Sequence, residues 1–102
     1  MPDLDPIIHQ PVRLQIMAAL TALPEDAQME FVALRKMLSL TDGNLSVHLR
    51  KLEDAGYVQV DKAFVGRKPR TFIAVTPEGR KAFNAYIQAL QSIIQRPETD
   101  TP

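Results

Sequence analysis

The chain contains no cysteine, which removes a disulfide framework, a thiolate nucleophile, a Cys-ligated zinc site and a thiol redox switch in one step. It has no apolar run near the roughly 18 residues that span a bilayer. Its start, Met1-Pro2-Asp3-Leu4-Asp5, lacks the basic opening of a signal peptide. A soluble, cytoplasmic protein without membrane contact is therefore expected. No internal repeat, low-complexity tract or linker interrupts the sequence. Charge of one sign is missing too, since 12 Lys and Arg face 12 Asp and Glu.

What remains is the composition of a folded chain: 102 residues, 45% hydrophobic and 24% charged. That length suits one domain, and a domain this small buries only about two-thirds of the surface its unfolded chain exposes. We expect one compact unit over residues 1–96 and a frayed tail over 97–102.

The neutral total hides an uneven distribution. Residues 1–42 carry three basic and six acidic groups, whereas residues 43–81 carry eight basic and four acidic. Lys62, Arg67, Lys68 and Arg70 fall within nine residues that contain no acid. A charge run is commonly just a solvated face, so its meaning depends on the element that carries it.

Asp5-Pro6 predicts a short opening turn, and Pro11, which cannot sit deep inside a helix, marks the start of the first main helix. Val12, Ile16, Met17, Leu20 and Leu23 follow at helical spacing up to Pro24. Met29 to Phe31 reads as a short strand. Phe31, Leu34 and Leu38 form the buried stripe of a second helix that carries Arg35 and Lys36 outside. After the tight turn Ser39-Leu40-Thr41, Thr41 is placed to accept from the backbone of Gly43 or Asn44 as an N-cap, with Asp42 at the positive end of the dipole. The third helix, about 42–55, buries Leu45, Leu49 and Leu52 and stops at Gly56. Two β-rich runs, Tyr57 to Asp61 and Thr71 to Val75, make a hairpin with the basic cluster around its tip. Thr76-Pro77-Glu78 opens a long last helix striped by Ala82, Phe83, Tyr86, Ile87, Leu90, Ile93 and Ile94, up to Arg96-Pro97.

This order is α+β: a winged helix-turn-helix with a two- to three-stranded antiparallel wing and a long C-terminal dimerisation helix. A helix fits the major groove, where base pairs show distinct donor and acceptor patterns. With the leucines turned inward, Asn44, Ser46, Val47 and Arg50 are left to face a duplex: Asn44 suits adenine, Arg50 guanine or phosphate, Val47 a thymine methyl. Gly43 permits close approach to a phosphate at the helix N-terminus. On the wing, about 62–70, Lys62, Arg67, Lys68 and Arg70 suit phosphates and the minor groove, and Arg67 is the expected groove-inserting residue. A last helix of about 18 residues has more apolar surface than so small a domain covers, which predicts a homodimer. Its expected interface is Ile7, Ile8, Val12, Phe83, Tyr86, Ile87, Leu90 and Ile94. A two-fold dimer would meet pseudo-palindromic half-sites about 10 base pairs apart.

The segments Asp42-Gly43-Asn44-Leu45-Ser46, His48-Leu49, Leu52-Glu53, Ala55-Gly56-Tyr57, Phe64-Val65-Gly66-Arg67, Pro69-Arg70-Thr71 and Thr76-Pro77-Glu78-Gly79-Arg80 carry a resemblance. Together they resemble the small winged-helix transcriptional regulators related to the MarR and ArsR groups, over about Asp5 to Ile94. The likeness implies a homodimeric, sequence-specific DNA-binding regulator whose first and last helices form the dimer interface. It assigns contacts to Asn44, Ser46, Val47 and Arg50 on the recognition helix and to Arg67, Lys68 and Arg70 on the wing. The chain departs from the metal-sensing ArsR members by lacking cysteine.

Other chemistries find no pattern. His9 and His48 with Asp3 or Asp5 show no regular ligand spacing, so neither metal nor cofactor is expected. His48 reads as a packing residue beside the leucine stripe, and His9 lacks a visible partner. Ser46 and His48, two apart on a helix, point to different sides and make no nucleophile–base pair. No enzyme is expected. Phe83, Tyr86, Ile87 and Leu90 are compatible with a small-molecule effector pocket, but a stripe at this spacing is more often core or dimer seam, so no effector is expected. The rival function is a winged-helix module for protein contact, favoured by the neutral charge and opposed by exposed Asn44, Ser46, Arg50 and the cationic wing.

Overall fold

The structure, a computed structural model, describes residues 3–95. The expected tail, residues 97–102, lies outside the described residues, as does Arg96. Asp5 opens the chain as anticipated: its Oδ1 accepts from Ile7 N at 2.8 Å while its carbonyl accepts from His9 N at 2.7 Å. Helix α1 runs Pro11–Thr21, with proline in its first turn and Gln10 capping Arg13 N at 2.8 Å. It ends before Leu23, although the apolar spacing continues to that residue. The residue preceding Pro24 is biased away from helical geometry, and Arg80 takes the free carbonyls of Thr21, Leu23 and Pro24 at 3.0, 2.9 and 3.3 Å.

Strand β1 is only Met29–Glu30 and runs directly into α2, Phe31–Met37. The turn to the next helix places Ser39 at φ 55°. Leu40 N donates to Arg35 O at 3.0 Å and Ser39 N to Lys36 O at 3.2 Å, the pattern that closes a helix on a left-handed residue, here without glycine. Helix α3, Asp42–Asp54, follows at once. Thr41 Oγ1 accepts from Asn44 N at 3.1 Å, the expected cap.

Strands β2, Val58–Val65, and β3, Lys68–Val75, pair antiparallel along their whole lengths, and β1 joins the far side of β3 through Met29↔Ile73 and Glu30↔Phe72. The sheet order is β1-β3-β2. The hairpin is longer and its loop tighter than the sequence suggests: only Gly66 and Arg67 connect the strands, with φ 67° at Gly66 and no positive φ at Arg67, the glycine-first geometry that suits the twist of a two-residue hairpin. Pro69 is tolerated inside β3 because β1 spans two residues and leaves β3 without a second neighbour at that level. Lys62, Lys68 and Arg70 consequently lie on strands rather than in a loop.

Helix α4, Pro77–Ile94, starts at Thr76, whose Oγ1 accepts from Gly79 N at 2.9 Å and donates to Gly56 O at 2.6 Å. A Cβ on Gly79 would stand 2.1 Å from Tyr57 O, so the helix meets the chain behind α3 closely only because residue 79 has no side chain. The core lies where the helices meet the sheet. Ile16, Met17 and Leu20 of α1, Leu34 of α2, Leu45 and Leu52 of α3, and Ile73 of β3 are all at 0% exposure. Burial of each such side chain contributes about 1.5–3 kcal/mol. Among the described residues no helix is long and apolar enough to cross a membrane.

Two of the eight expected dimer residues belong to this core instead. Ile8 and Tyr86, at 0% and 2% exposure, pack inside the protomer and leave almost no surface for a partner. Ile7, Val12, Phe83, Ile87 and Leu90 are half-covered against the same core, while Ile94 stands 71% exposed.

Candidate nucleic-acid interface

The i, i+4, i+7 spacing of Leu45, Leu49 and Leu52 decides what α3 shows to solvent. With those three buried, Gly43, Asn44, Ser46, Val47 and Arg50 are all exposed, Val47 at 58%. A Cβ at Gly43 would meet open space, so the fold itself does not require glycine there. Asp42, at the start of α3, is matched by Arg35 of α2, whose Nε lies 2.9 Å from its Oδ1 in a charge contact rather than a directed hydrogen bond.

The wing stands beside this helix. Residues paired across an antiparallel ladder share a face, so Lys62 and Thr71 continue the face that carries buried Val58 and Ile73. Lys62 and Thr71 accordingly line an open groove of about 510 Å³ with Ser46 and Arg50 of α3, floored by Leu49 and Val60. Glu53 and Asp54 border the same groove where α3 ends. Arg67 occupies the tip and Lys68 the first position of β3, both exposed.

Arg70 is placed differently from its neighbours. It lies on the opposite sheet face, and its guanidinium forms an ion pair with Glu30 of β1. The structure thus brings Ser46, Arg50 and Lys62 to one groove, leaves Asn44 and Val47 on the outer surface of α3, sets Arg67 and Lys68 at the far end of the wing, and commits Arg70 to an internal partner.

Behind the exposed face, α3 is held by contacts that link distant parts of the chain. Arg13 of α1 donates from Nε to Ile7 O and from a terminal nitrogen to His48 Nδ1 at 3.2 Å. Because an arginine only donates, His48 must present a lone pair and carry its proton on Nε2. Burial, then Arg13, then Lys51 lower the His48 pKa from its ordinary value. Past the end of α3, Tyr57 donates its hydroxyl to Asp5 Oδ2, and that bond, with burial and the charges of Asp5 and Glu78, raises the phenol to about 12. His9 does have a partner: its Nδ1 lies 2.9 Å from the Tyr86 hydroxyl. None of these pairs has a local sequence signature, since their members stand 35 to 77 residues apart.

The remaining candidates do not converge. Phe83 and Ile87 line an open groove against Ala18 and Thr21 of α1 and Ala22 just past its end, whereas Tyr86 borders a separate depression with His9 and Leu14. Among the described residues no three His, Asp or Glu side chains gather as a metal ion would need.

Comparison with known proteins gives the same picture over most of the chain. The model of a family described as winged helix DNA-binding domain matches residues 12–94. An uncharacterised protein of Methanocaldococcus jannaschii is 42% identical over 81 residues, 79% of this chain and 85% of that protein. The structure of a transcriptional regulator homologue from Pyrococcus horikoshii superposes with a TM-score of 0.80 at 35% identity, covering 87% of this chain and 85% of that one. That of a MarR-family transcriptional regulator from Enterococcus faecalis does so with a TM-score of 0.64 at 27% identity, covering 92% and 78%.

Proposed function

The chain belongs to the winged helix DNA-binding domain family, and from that premise we propose that it is a cytoplasmic, homodimeric transcriptional regulator that reads a specific duplex sequence. The observation that carries this reading is the division of α3: Leu45, Leu49 and Leu52 face inward, and Asn44, Ser46, Val47 and Arg50 all face out beside a wing that ends in Arg67 and Lys68. In this reading α3 enters the major groove. Asn44 contacts adenine, Val47 a thymine methyl and Arg50 a guanine or phosphate, while Gly43 and Ser46 approach the phosphate backbone. Lys62 bridges from the wing to the same stretch of backbone, and Arg67 with Lys68 reaches the neighbouring minor groove. Arg70, held by Glu30, contributes to the shape of the wing rather than to the phosphate contacts. A two-fold dimer through α1 and α4 spaces two such helices for a pseudo-palindromic operator.

Selection from a pool of random duplexes tests the reading, with an enriched inverted repeat as the expected result. On that operator Arg50→Ala weakens binding and relaxes one base position by about 1–3 kcal/mol. Arg67→Ala with Lys68→Ala weakens all sequences alike and flattens the salt dependence by about two units, whereas Arg70→Ala leaves that slope nearly unchanged. Failure to enrich any sequence, with weak binding indifferent to the wing changes, would favour a protein-contact module, for which exposed Val47 is the supporting feature.

A further inference from the structure

Phe64 is the most exposed large apolar side chain of the described residues, at 75%, and it is absent from the residues that pack against the core. It sits two residues before the wing turn, on the same sheet face as Lys62 and directly opposite Pro69. That face carries Val58 and Ile73 at the base of the wing, then Lys62 and Thr71 where it lines the groove with Ser46 and Arg50, and finally Phe64 and Pro69 beyond the body of the domain. Two residues of strand carry the ring about 6–7 Å further out than Lys62. A phenyl ring there adds nothing to folding, and on an exposed edge strand it is a liability for self-association.

The surroundings say what covers it. Every charged side chain from Lys62 to Arg70 is a cation: Lys62 shares the ring's sheet face and Arg67 occupies the turn beyond it, while Lys68 and Arg70 lie on the opposite face. An exposed apolar group on an acid-free, cationic arm suits a polyanion with an apolar wall. Duplex DNA has one, because deoxyribose edges line the minor groove between the phosphates. Apolar side chains pack against that wall or wedge at a base step, in a manner independent of counterion release.

We infer that Phe64, backed by Pro69, is a DNA-contacting residue of the wing that packs against the sugar wall of the minor groove entered by Arg67. This rests on the regulator reading above. It divides the wing into two chemistries, a salt-dependent one from Arg67 and Lys68 and a salt-independent one from the ring.

The test measures binding of the full chain to its selected duplex at several salt concentrations for the unaltered protein, Phe64→Ala, Phe64→Leu and Arg67→Ala. Phe64→Ala is expected to bind about tenfold more weakly at every salt concentration with the same slope, and Phe64→Leu to keep most of the affinity. Arg67→Ala is expected to lose about one unit of slope. Because the ring is exposed, thermal unfolding of Phe64→Ala should match that of the unaltered chain. Equal affinity for Phe64→Ala and the unaltered protein overturns this inference alone. So does a changed slope, or a shift in oligomeric state without DNA, which would seat the ring against a second copy. No duplex binding by the unaltered protein overturns the regulator reading and this inference together.

Discussion

His48 shows how a side chain outside the expected contact set can still tie α3 to α1. Its ring accepts from Arg13 only while neutral, and protonation would turn that acceptor into a donor facing a guanidinium. Burial, Arg13 and Lys51 lower its folded pKa, so the folded chain binds this proton less readily than the unfolded chain. The stability contributed is fully present above the unfolded value near 6.5 and is lost as pH falls through the lower folded value. Thermal melts between pH 7 and pH 5 should therefore fall more steeply for the native chain than for His48→Gln, which retains an acceptor and does not titrate. Tyr57 has the opposite sign. Its pKa is raised to about 12, above the ordinary value of 10.0, so its contribution is present below pH 10 and disappears as pH rises through about 12. Tyr57→Phe should cost about 1 kcal/mol at neutral pH by chemical denaturation and lose that part of the alkaline dependence.

At the scale of elements, helix α1 ends on a donor that belongs to another helix. No basic residue lies in its own last turn. Arg80 of α4 supplies the missing charge by taking three carbonyls at its end, which satisfies orphan acceptors and the negative pole of the helix together. Arg80→Ala should lower stability by about 1–3 kcal/mol in urea unfolding. Arg80→Lys should recover only part of it, since one ammonium cannot fork across the same carbonyls. Helix starts, the leucine stripe and the helix-to-wing order were legible in the sequence because periodicity and capping are local. The end of α1 was not, because residues more than fifty positions apart set it. The length of the wing strands was missed for a different reason. Lys62-Ala63-Phe64-Val65 shows no apolar–polar alternation and Lys68-Pro69-Arg70 is charged and proline-bearing, and it is the cross-strand ladder, rather than their own pattern, that holds them extended.

For the whole molecule, the outward residues of α3 were legible once the inward leucines were known, and the acid-free wing was visible in the raw sequence. Which cation is free was not, because Glu30 reaches Arg70 from forty residues away. The proposed dimer belongs at this scale as well. With Ile8 and Tyr86 buried in the protomer, Ile94, 71% exposed near the end of α4, is the expected interface residue with the most uncovered surface. Ile94→Glu should leave protomer melting nearly unchanged, shift sedimentation toward the monomer, and weaken binding to an inverted repeat far more than to a half-site.

The two-residue turn at Gly66 and Arg67 also sets a rule of parity for how this wing changes over evolutionary time. Side chains alternate along both strands, so a single inserted residue in β2 would move Lys62 and Phe64 to the face now held by Asp61 and Val65. An added cross-strand pair, one residue in each strand, would swap the faces presented at the tip. Only insertions of two pairs would lengthen the wing, by about 6–7 Å, and return each side chain to its present face. The reach of this arm is therefore adjustable in steps, and descendants of the sequence should differ in wing length by multiples of four residues wherever the same face is kept in use.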